Sequence, residues 1–527
     1  MADDLGMLAL AWDVEGRSAW CFRSSPSGLQ IRNSTDCHGL GVFALHAVQP
    51  GERVLAEVPL LQVEDAEEQK LEVEAAVETL KPAARRTYWA LCQNAEHGRT
   101  KNAYGIWLSN ALPTQDEPAA AAVFRVASRF NHSCRPNAHI SWNDRTRRIT
   151  VHALRTIAPD EEVTIHYRGG GDGETRDERR AGLRGDFGFD CACTMCSIPK
   201  GASRAASDAN QTRIATLFAS IAASPTPSNL VHLVEERLEV LAKEGVRTNW
   251  DTYGAAMSFL KCTGASSQAA RWAARAAASA SFALGRDSTE FAQYVAEMAG
   301  LESEWLDAGA RLRKDGFAIL DGFAGESLAS ALRAQLSVLY AGGGTEFSRG
   351  EIGGGSDGKD LDVRKDAAVR GDHRALIETH DPRAPSLGSL FFMMDQFVGM
   401  LAARGCVAEL RSITRRSRPM LACYAGGGAR YVRHVDNPDD NGRTLTAIYY
   451  LNKGWRPASG GELVLYPQTA AKTAAYSRRS SEAEEQQVRV EPILDRLVVF
   501  WSDHRTPHEV LPANTNRLAI SSWYHSR

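Results

Sequence analysis

The run YVRHVDNPDDNGR, residues 431–443, sets a narrow constraint on the fold. It reads as a β-strand that ends in a polar turn, and a strand would place His434 and Asp436 on one face because they are two residues apart. An imidazole and a carboxylate side by side either stand in water or hold a metal ion. Two imidazoles and one carboxylate on one side of a ferrous ion leave three positions open for chemistry, so a third ligand is required from a neighbouring strand. RLVVFWSDHRTPHEV (496–510) offers His504 in the turn and His508 where a strand resumes after Pro507. Nine residues beyond His508, Arg517 opens RLAISSWY, in which Arg517, Ala519, Ser521 and Trp523 alternate onto one face. A guanidinium fixed at the inner end of such a barrel would take a dicarboxylate through a two-pronged contact. An isolated HxD arises often by chance. The ordered set of HxD, distal His and Arg does not.

The rest of the chain bounds the setting. Its 527 residues call for two to four domains, and 43% hydrophobic with 24% charged residues is the composition of soluble globular protein. A net charge of -3 supplies no electrostatic case for nucleic acid or for an anionic membrane. The start MADDLGMLALAW does not fit a signal peptide, and no run approaches the roughly 18 apolar residues of a membrane helix. A cytoplasmic or nuclear location is expected, with no direct nucleic-acid or membrane partner. Three textures follow one another. Residues 1–200 alternate β-like runs with turns, and residues 201–308 hold helical spacing, with Gly245 and Gly285 where helices should stop. From 309 onward DGFAILDGF reads as a strand, and Leu328, Leu332, Leu336 and Leu339 form a helical core stripe. The Gly-rich stretch 342–360 reads as a loop or hairpin tip, and 468–487 as a long solvated insertion.

With LACYAGGGARYVRHVDNPDDNGRTLTAIYYLNKGW, GGELVLYP, FWSDHRTPHEV and NRLAISSWY in view, residues 309–527 closely resemble the hypoxia-inducible-factor prolyl hydroxylases. That resemblance implies a double-stranded β-helix (jelly roll) with supporting helices, using Fe(II), 2-oxoglutarate, O2 and ascorbate to hydroxylate C4 of a proline in a protein substrate. It implies His434, Asp436 and His508 as iron ligands, leaving His504 unassigned. Arg517 would bind the distal carboxylate of 2-oxoglutarate with Tyr450, and Tyr424 would lie beside metal and co-substrate. Arg443 and Trp523 would line the proline pocket, and Arg370 and Asp372 would belong to a mobile strand-loop over the substrate. Retention of Asp436 speaks for hydroxylation, since a halogenase of this fold needs that position vacant. The Gly-rich loop and Ala425, in place of a Pro commonly found after the Tyr, depart from the family pattern.

The first region holds a second constellation: HGLGVFA (38–44), RFNHSCRPNAHISW (129–142), EEVTIHY (161–167) and CACTMC (191–196). Three thiols so closely spaced need a fourth ligand for a tetrahedral zinc site, and Cys134 is a reasonable source for Cys191, Cys193 and Cys196. Unligated cysteines are the alternative in a reducing compartment. This order resembles the SET-domain lysine methyltransferases of the NHSCxPN and post-SET branch. The resemblance implies S-adenosylmethionine contacts at Gly39, Gly41, Asn131 and His132, Tyr167 at the methyl-transfer channel, and a structural zinc. Residues 61–110 hold only Cys92 and His97 as sulfur or imidazole ligands, too few for an inserted MYND zinc finger.

The expectation is therefore a multidomain α+β chain: a β-rich SET fold with a post-SET zinc site, an α-helical connector, and a C-terminal jelly roll. Its partners would be proteins, a proline-containing peptide at one site and a lysine-containing protein such as a histone at the other. Two alternatives stand beside it. In one the dioxygenase acts on a different protein, and in the other the SET region serves only as a peptide-binding module.

Overall fold

β-branched and aromatic residues alternate through the last quarter of the chain, and the computed structural model arranges them as two sheets. It describes residues 13–14, 28–34, 39–64, 68–94, 97, 100–116, 119–168, 173–223, 227–246, 249–341, 347–350, 370–404, 407–468 and 487–526. The N-terminal dodecapeptide, most of the Gly-rich stretch 342–360 and nearly all of the insertion 468–487 lie outside the described residues. Two compact units form, one within Phe22–Glu297 and the other chiefly from Met298–Arg527.

In the C-terminal unit, the large sheet runs in the order Phe317–Asp321, Arg496–Trp501, Arg443–Tyr450, Asn516–His525, Met420–Ala425, Asp372–Leu376, Ser348–Arg349. The small sheet orders Ala429–His434, His508–Ala513, Leu463–Leu465 and Val488–Val490. Side chains from both meet in one apolar cluster: Tyr424, Ile448, Tyr450, Val498, Phe500 and Ala519 from the large sheet, with Leu463, Leu465, Val510 and Ala513 from the small one. Two antiparallel sheets packed face to face are the jelly-roll arrangement expected. The helix Leu387–Ala403 is buried on nearly every side, consistent with its almost continuous apolar sequence. Its Asp395 carboxylate accepts from Arg416 Nε and from the Tyr524 hydroxyl, both at 2.9 Å, tying helix to sheet. In the helix Glu326–Ala341, Leu328, Leu332 and Leu336 are buried, while Leu339 is half-buried.

In the N-terminal unit, short antiparallel sheets surround a core that includes Val42, Phe124, Phe130, Val151, Val163 and Ile165. Strand Arg148–Ala153 lies between Arg53–Glu57 and Ala138–Asn143. Asn131–His132 and Thr164–Ile165 form a two-residue parallel ladder, which brings the NHSC and EEVTIHY segments side by side. Five helices follow: Ala202–Ala222, Pro227–Lys243, Trp250–Cys262, Ser266–Ala283 and Thr289–Glu297. Gly245 (φ +75°) and Gly285 (φ +90°) follow two of their ends in the left-handed conformation, as the spacing predicts. Small Ala side chains let Ser266–Ala283 pack closely, and ten of its residues are buried. Among the described residues no helix is long and apolar enough to cross a membrane.

Candidate metal and cofactor sites

The small sheet places two histidines opposite each other, because His434 ends one strand and His508 begins its antiparallel neighbour in direct register. Asp436 lies just past the strand, in the bend that follows. The same-face argument from strand alternation therefore does not position the carboxylate; the turn does. One donor atom from each of the three residues falls within a sphere of contacts no wider than 4.8 Å. Nε2 of His434 is 3.8 Å from Asp436 Oδ1, and Nε2 of His508 is 3.8 Å from Oδ2. His504 is exposed in the turn and belongs to no such group.

Each histidine spends its other nitrogen on the backbone. His434 Nδ1 lies 2.8 Å from the Val432 carbonyl and His508 Nδ1 3.3 Å from that of Thr506. Both protons are thereby fixed on Nδ1, and both Nε2 lone pairs point inward, as metal ligation requires. Burial, followed by the neighbouring His508, lowers the His434 pKa to about 3, and burial likewise lowers that of His508. Both imidazoles are neutral at ordinary pH. Asp436 Oδ2 accepts from Thr446 Oγ1 at 2.7 Å and from Trp523 Nε1 at 3.0 Å. Burial would raise this carboxyl, but the two imidazoles and these donors outweigh it, and its pKa falls. Neutral imidazoles, an ionised carboxylate and a convergent geometry fit a divalent iron.

Deeper in, Arg517 is 4% exposed. Its Nε donates to the Gly461 carbonyl at 2.6 Å and its Nη2 to the Tyr450 hydroxyl at 3.3 Å, while the Tyr424 ring lies 5.0 Å from the guanidinium carbon. Burial raises the Tyr450 pKa, so the phenol keeps its proton. Its oxygen accepts from Arg517, and its own O–H remains to donate to a carboxylate. The Arg443 guanidinium stacks 4.3 Å over Trp523 and donates to the Asp436 carbonyl at 3.3 Å. Arg370 and Asp372 form a bidentate ion pair of 2.7 and 3.0 Å, and Arg370 also lies over Tyr431, which stacks on His434 at 3.6 Å between ring centroids.

In the N-terminal unit, Cys134, Cys191, Cys193 and Cys196 form the second convergent group, with their sulfurs all within 4.8 Å of one another. Cys134 Sγ is 3.9 Å from Cys191 Sγ and 3.6 Å from Cys196 Sγ. Four thiols at such spacing could bind zinc. His132 joins this cluster to Tyr167: its Nδ1 accepts from the Tyr167 backbone N–H at 3.1 Å, which leaves Nε2–H facing Cys134 Sγ at 3.3 Å. The Tyr167 hydroxyl donates to the Phe130 carbonyl at 2.8 Å, and its ring meets Phe187 and Phe189 at 5.0 and 6.3 Å. Gly39 adopts φ +106°, a conformation that favours glycine. Gly41 is required for a different reason, since a Cβ there would run into the Glu162 carboxylate.

Of the residues singled out from the sequence, His434, Asp436 and His508 converge, as do Cys134, Cys191, Cys193 and Cys196, while His504 does not join the first group. Several others do not announce themselves: Thr446, Gly461, Tyr431, Phe187 and Glu162. The aromatics of DFGFDCAC beside the cysteines were a usable signal for Phe187 and Phe189. Thr446 had none beyond its place in a strand.

Comparison with known proteins gives two families. Residues 419–525 match the 2OG-Fe(II) oxygenase superfamily, and residues 39–168 match the SET domain. Egl nine homolog 1 of Homo sapiens is 36% identical over 218 residues, covering 40% of this chain and 44% of that protein. Prolyl hydroxylase EGLN3 of Mus musculus is 35% identical over 214 residues, covering 40% of this chain and 80% of that protein. Histone-lysine N-methyltransferase set5 of Schizosaccharomyces pombe is 34% identical over 178 residues, covering 34% of this chain and 53% of that protein. The chain spans about half the length of the Egl nine homolog 1 proteins it matches, 44% to 56%.

Proposed function

The chain belongs to the Egl nine prolyl hydroxylase family, and from that premise we propose that residues 309–527 form a protein prolyl 4-hydroxylase of the oxygen-sensing type. Residues 1–200 form a SET protein-lysine methyltransferase, with 201–308 as the helical connector. The observation that carries the first reading is the convergence of His434, Asp436 and His508 with both Nδ1 atoms occupied by backbone carbonyls.

In this reading the three residues hold Fe(II), Arg517 and the Tyr450 O–H bind the distal carboxylate of 2-oxoglutarate, and Tyr424 packs beside both. When bound, ferrous iron supplies the dioxygen activation that couples oxidation of 2-oxoglutarate to succinate with hydroxylation of C4 of a proline. Ascorbate keeps that iron reduced. Trp523, held by Arg443, forms the wall against which the proline ring lies, and the Arg370–Asp372 pair braces the adjoining strand over the substrate. At the other site Gly39, Gly41, Asn131 and His132 cradle S-adenosylmethionine. Tyr167 aligns a lysine amine toward the sulfonium methyl, and the four cysteines bind zinc that shapes the channel. The substrates are a proline-bearing peptide and a lysine-bearing protein of histone type, met in the cytoplasm or nucleus.

The test uses the full chain. With Fe(II), 2-oxoglutarate and a library of proline peptides it should release succinate and add one oxygen to proline. With labelled S-adenosylmethionine it should methylate lysine in histones or lysate proteins, and Tyr167→Phe should abolish that transfer alone. Succinate release that never depends on a proline peptide sinks the first reading. Absence of any methylated protein sinks the second.

A further inference from the structure

Leu80–Ala90 builds a surface that neither candidate site uses. The helices Gln69–Thr79 and Pro82–Trp89 join at Leu80 and Lys81. An open groove of about 690 Å³ lies there, lined by Leu80, Pro82, Arg85, Arg86, Trp89 and Ala90. Its apolar part is held in place. Leu80 and Trp89 pack against the core that contains Val77, Tyr88 and Ile106. The buried Tyr88 hydroxyl donates to the Ala103 carbonyl at 2.8 Å, and the Trp89 carbonyl accepts from Lys101 Nζ at 2.7 Å. The charge around the groove is basic. Arg85 and Arg86 belong to the lining, and exposed Lys81 stands between two lining residues. Arg129 reaches the Ala90 carbonyl at 3.5 Å, with its Nε on the Arg125 carbonyl at 3.1 Å. Burial, then the neighbouring Arg125, lowers the Arg129 pKa, as expected where cations crowd. Two carboxylates come near. Glu78 pairs with Arg85, and Glu57 accepts from the backbone N–H groups of Arg125, Val126 and Ala127. Arg86 is exposed and has no partner among the described residues.

We propose that this groove docks an acidic peptide segment of a partner protein, one that carries Asp or Glu beside a large apolar side chain. Charge complementarity names the occupant. Arginine forks match carboxylates in a two-pronged contact, and an apolar side chain set against Leu80 and Trp89 keeps water from those contacts. A nucleic-acid strand fits less well. Grooves that follow a strand stack successive bases on successive aromatic rings, and Trp89 is the one aromatic residue of this lining.

The experiment titrates the full chain into three labelled probes and follows fluorescence anisotropy. The probes are a Glu-rich peptide bearing Leu and Phe, the same peptide with Ser at those positions, and a single-stranded oligothymidylate. The first should bind, less tightly as salt rises. The second should bind about tenfold more weakly, and the third no better than the second. Arg86→Glu and Lys81→Glu reverse exposed charges, so each should keep the thermal midpoint of the wild type while weakening the first peptide about tenfold. Failure of the first peptide to bind, or binding untouched by both reversals, overturns the proposal. Equal binding of the two peptides would reduce the groove to a patch of charge, which also overturns it. An oligonucleotide that binds more tightly than the first peptide, and loses affinity with Arg86→Glu, would make this a nucleic-acid contact instead.

Discussion

His434 and His508 face each other across adjacent strands with ring centroids 4.3 Å apart, each with Nδ1 turned to the carbonyl two residues before it. His508 is buried and His434 half-buried, and with each Nδ1 taken by a backbone carbonyl the Nε2 atoms are left to face Asp436 and each other. A metal ion satisfies both. His434→Ala is accordingly expected to lower Fe(II)-dependent succinate formation at least about a hundredfold. Methyl transfer by the same preparation should be unchanged, and a matching loss there would show that the two activities are not independent.

Thr446 and Trp523 both donate to Oδ2 of Asp436. Donors to a ligating carboxylate fix its orientation, and losing one typically costs about 10–100-fold in metal affinity or activity. Thr446→Val keeps the shape and removes the hydroxyl. The Fe(II) concentration for half-maximal turnover should rise roughly tenfold, while the 2-oxoglutarate KM stays within a factor of two. An unchanged Fe(II) titration would mean that this hydroxyl serves only Ser502, its other neighbour at 2.8 Å.

These two residues mark what the sequence could and could not disclose. Iron coordination restricts residue type severely, so His434, Asp436, His508 and Arg517 stand out from a linear reading. The cysteines and the NHSC segment stand out for the same reason. Thr446 and Trp523 reach Asp436 only through the pairing of Arg443–Tyr450 with Asn516–His525, where Thr446 lies opposite Trp523. Register of that kind is a tertiary property, and a threonine in a strand looks like any other. Asp436 shows the limit even for a ligand: the residue was readable, but its placement by a turn rather than by strand alternation was not. Glu162 lay hidden because EEVTIHY reads simply as a short β-like run ending on Tyr167, and its partners Ser34 and Gly41 are over a hundred residues away.

Arg517 and Tyr450 form one receptor in which the guanidinium donates to the phenol oxygen and the phenol proton remains available. Tyr450→Phe removes one hydrogen bond to a charged group, worth about 1.5–3 kcal/mol. The 2-oxoglutarate KM should rise roughly ten- to a hundredfold, with kcat at saturation preserved. Arg517→Lys also loses the planar fork and the Gly461 contact, so its KM should rise further. Steady-state titration of 2-oxoglutarate separates the cases, and a fall in kcat without a rise in KM would place Tyr450 elsewhere in the reaction.

His132 links the cysteine cluster to Tyr167, with Nε2 facing Cys134 Sγ and Nδ1 accepting from the Tyr167 N–H. Cys196→Ser should release the zinc measured by elemental analysis, loosen the segment bearing Phe187 and Phe189, and abolish methyl transfer. Succinate formation should persist at the wild-type rate. Full methyl transfer by a zinc-free protein would reduce the cluster to four packed thiols.

Acid should destabilise the N-terminal unit through its buried imidazoles. His152 is 2% exposed, and burial, reinforced by the adjacent Arg53, lowers its pKa to about 3. Its Nε2 accepts from Arg53 Nε at 3.1 Å, a bond that exists only while the ring is neutral. His139 is lowered to about 4 by burial. An unfolded imidazole takes its proton near pH 6.5. Between that value and the folded pKa the unfolded chain binds protons that the folded chain refuses, so stability is complete above about pH 6.5 and declines as pH falls. The slope approaches about 1.4 kcal/mol per pH unit for each such histidine. His152→Gln cannot bind the proton in either state. Its thermal midpoint should therefore start lower at pH 7.5, for loss of the Arg53 contact, and fall less steeply toward pH 4.5 than that of the wild type. Parallel curves for the two proteins, followed by circular dichroism, would show that His152 takes up its proton in the folded chain as readily as in the unfolded one.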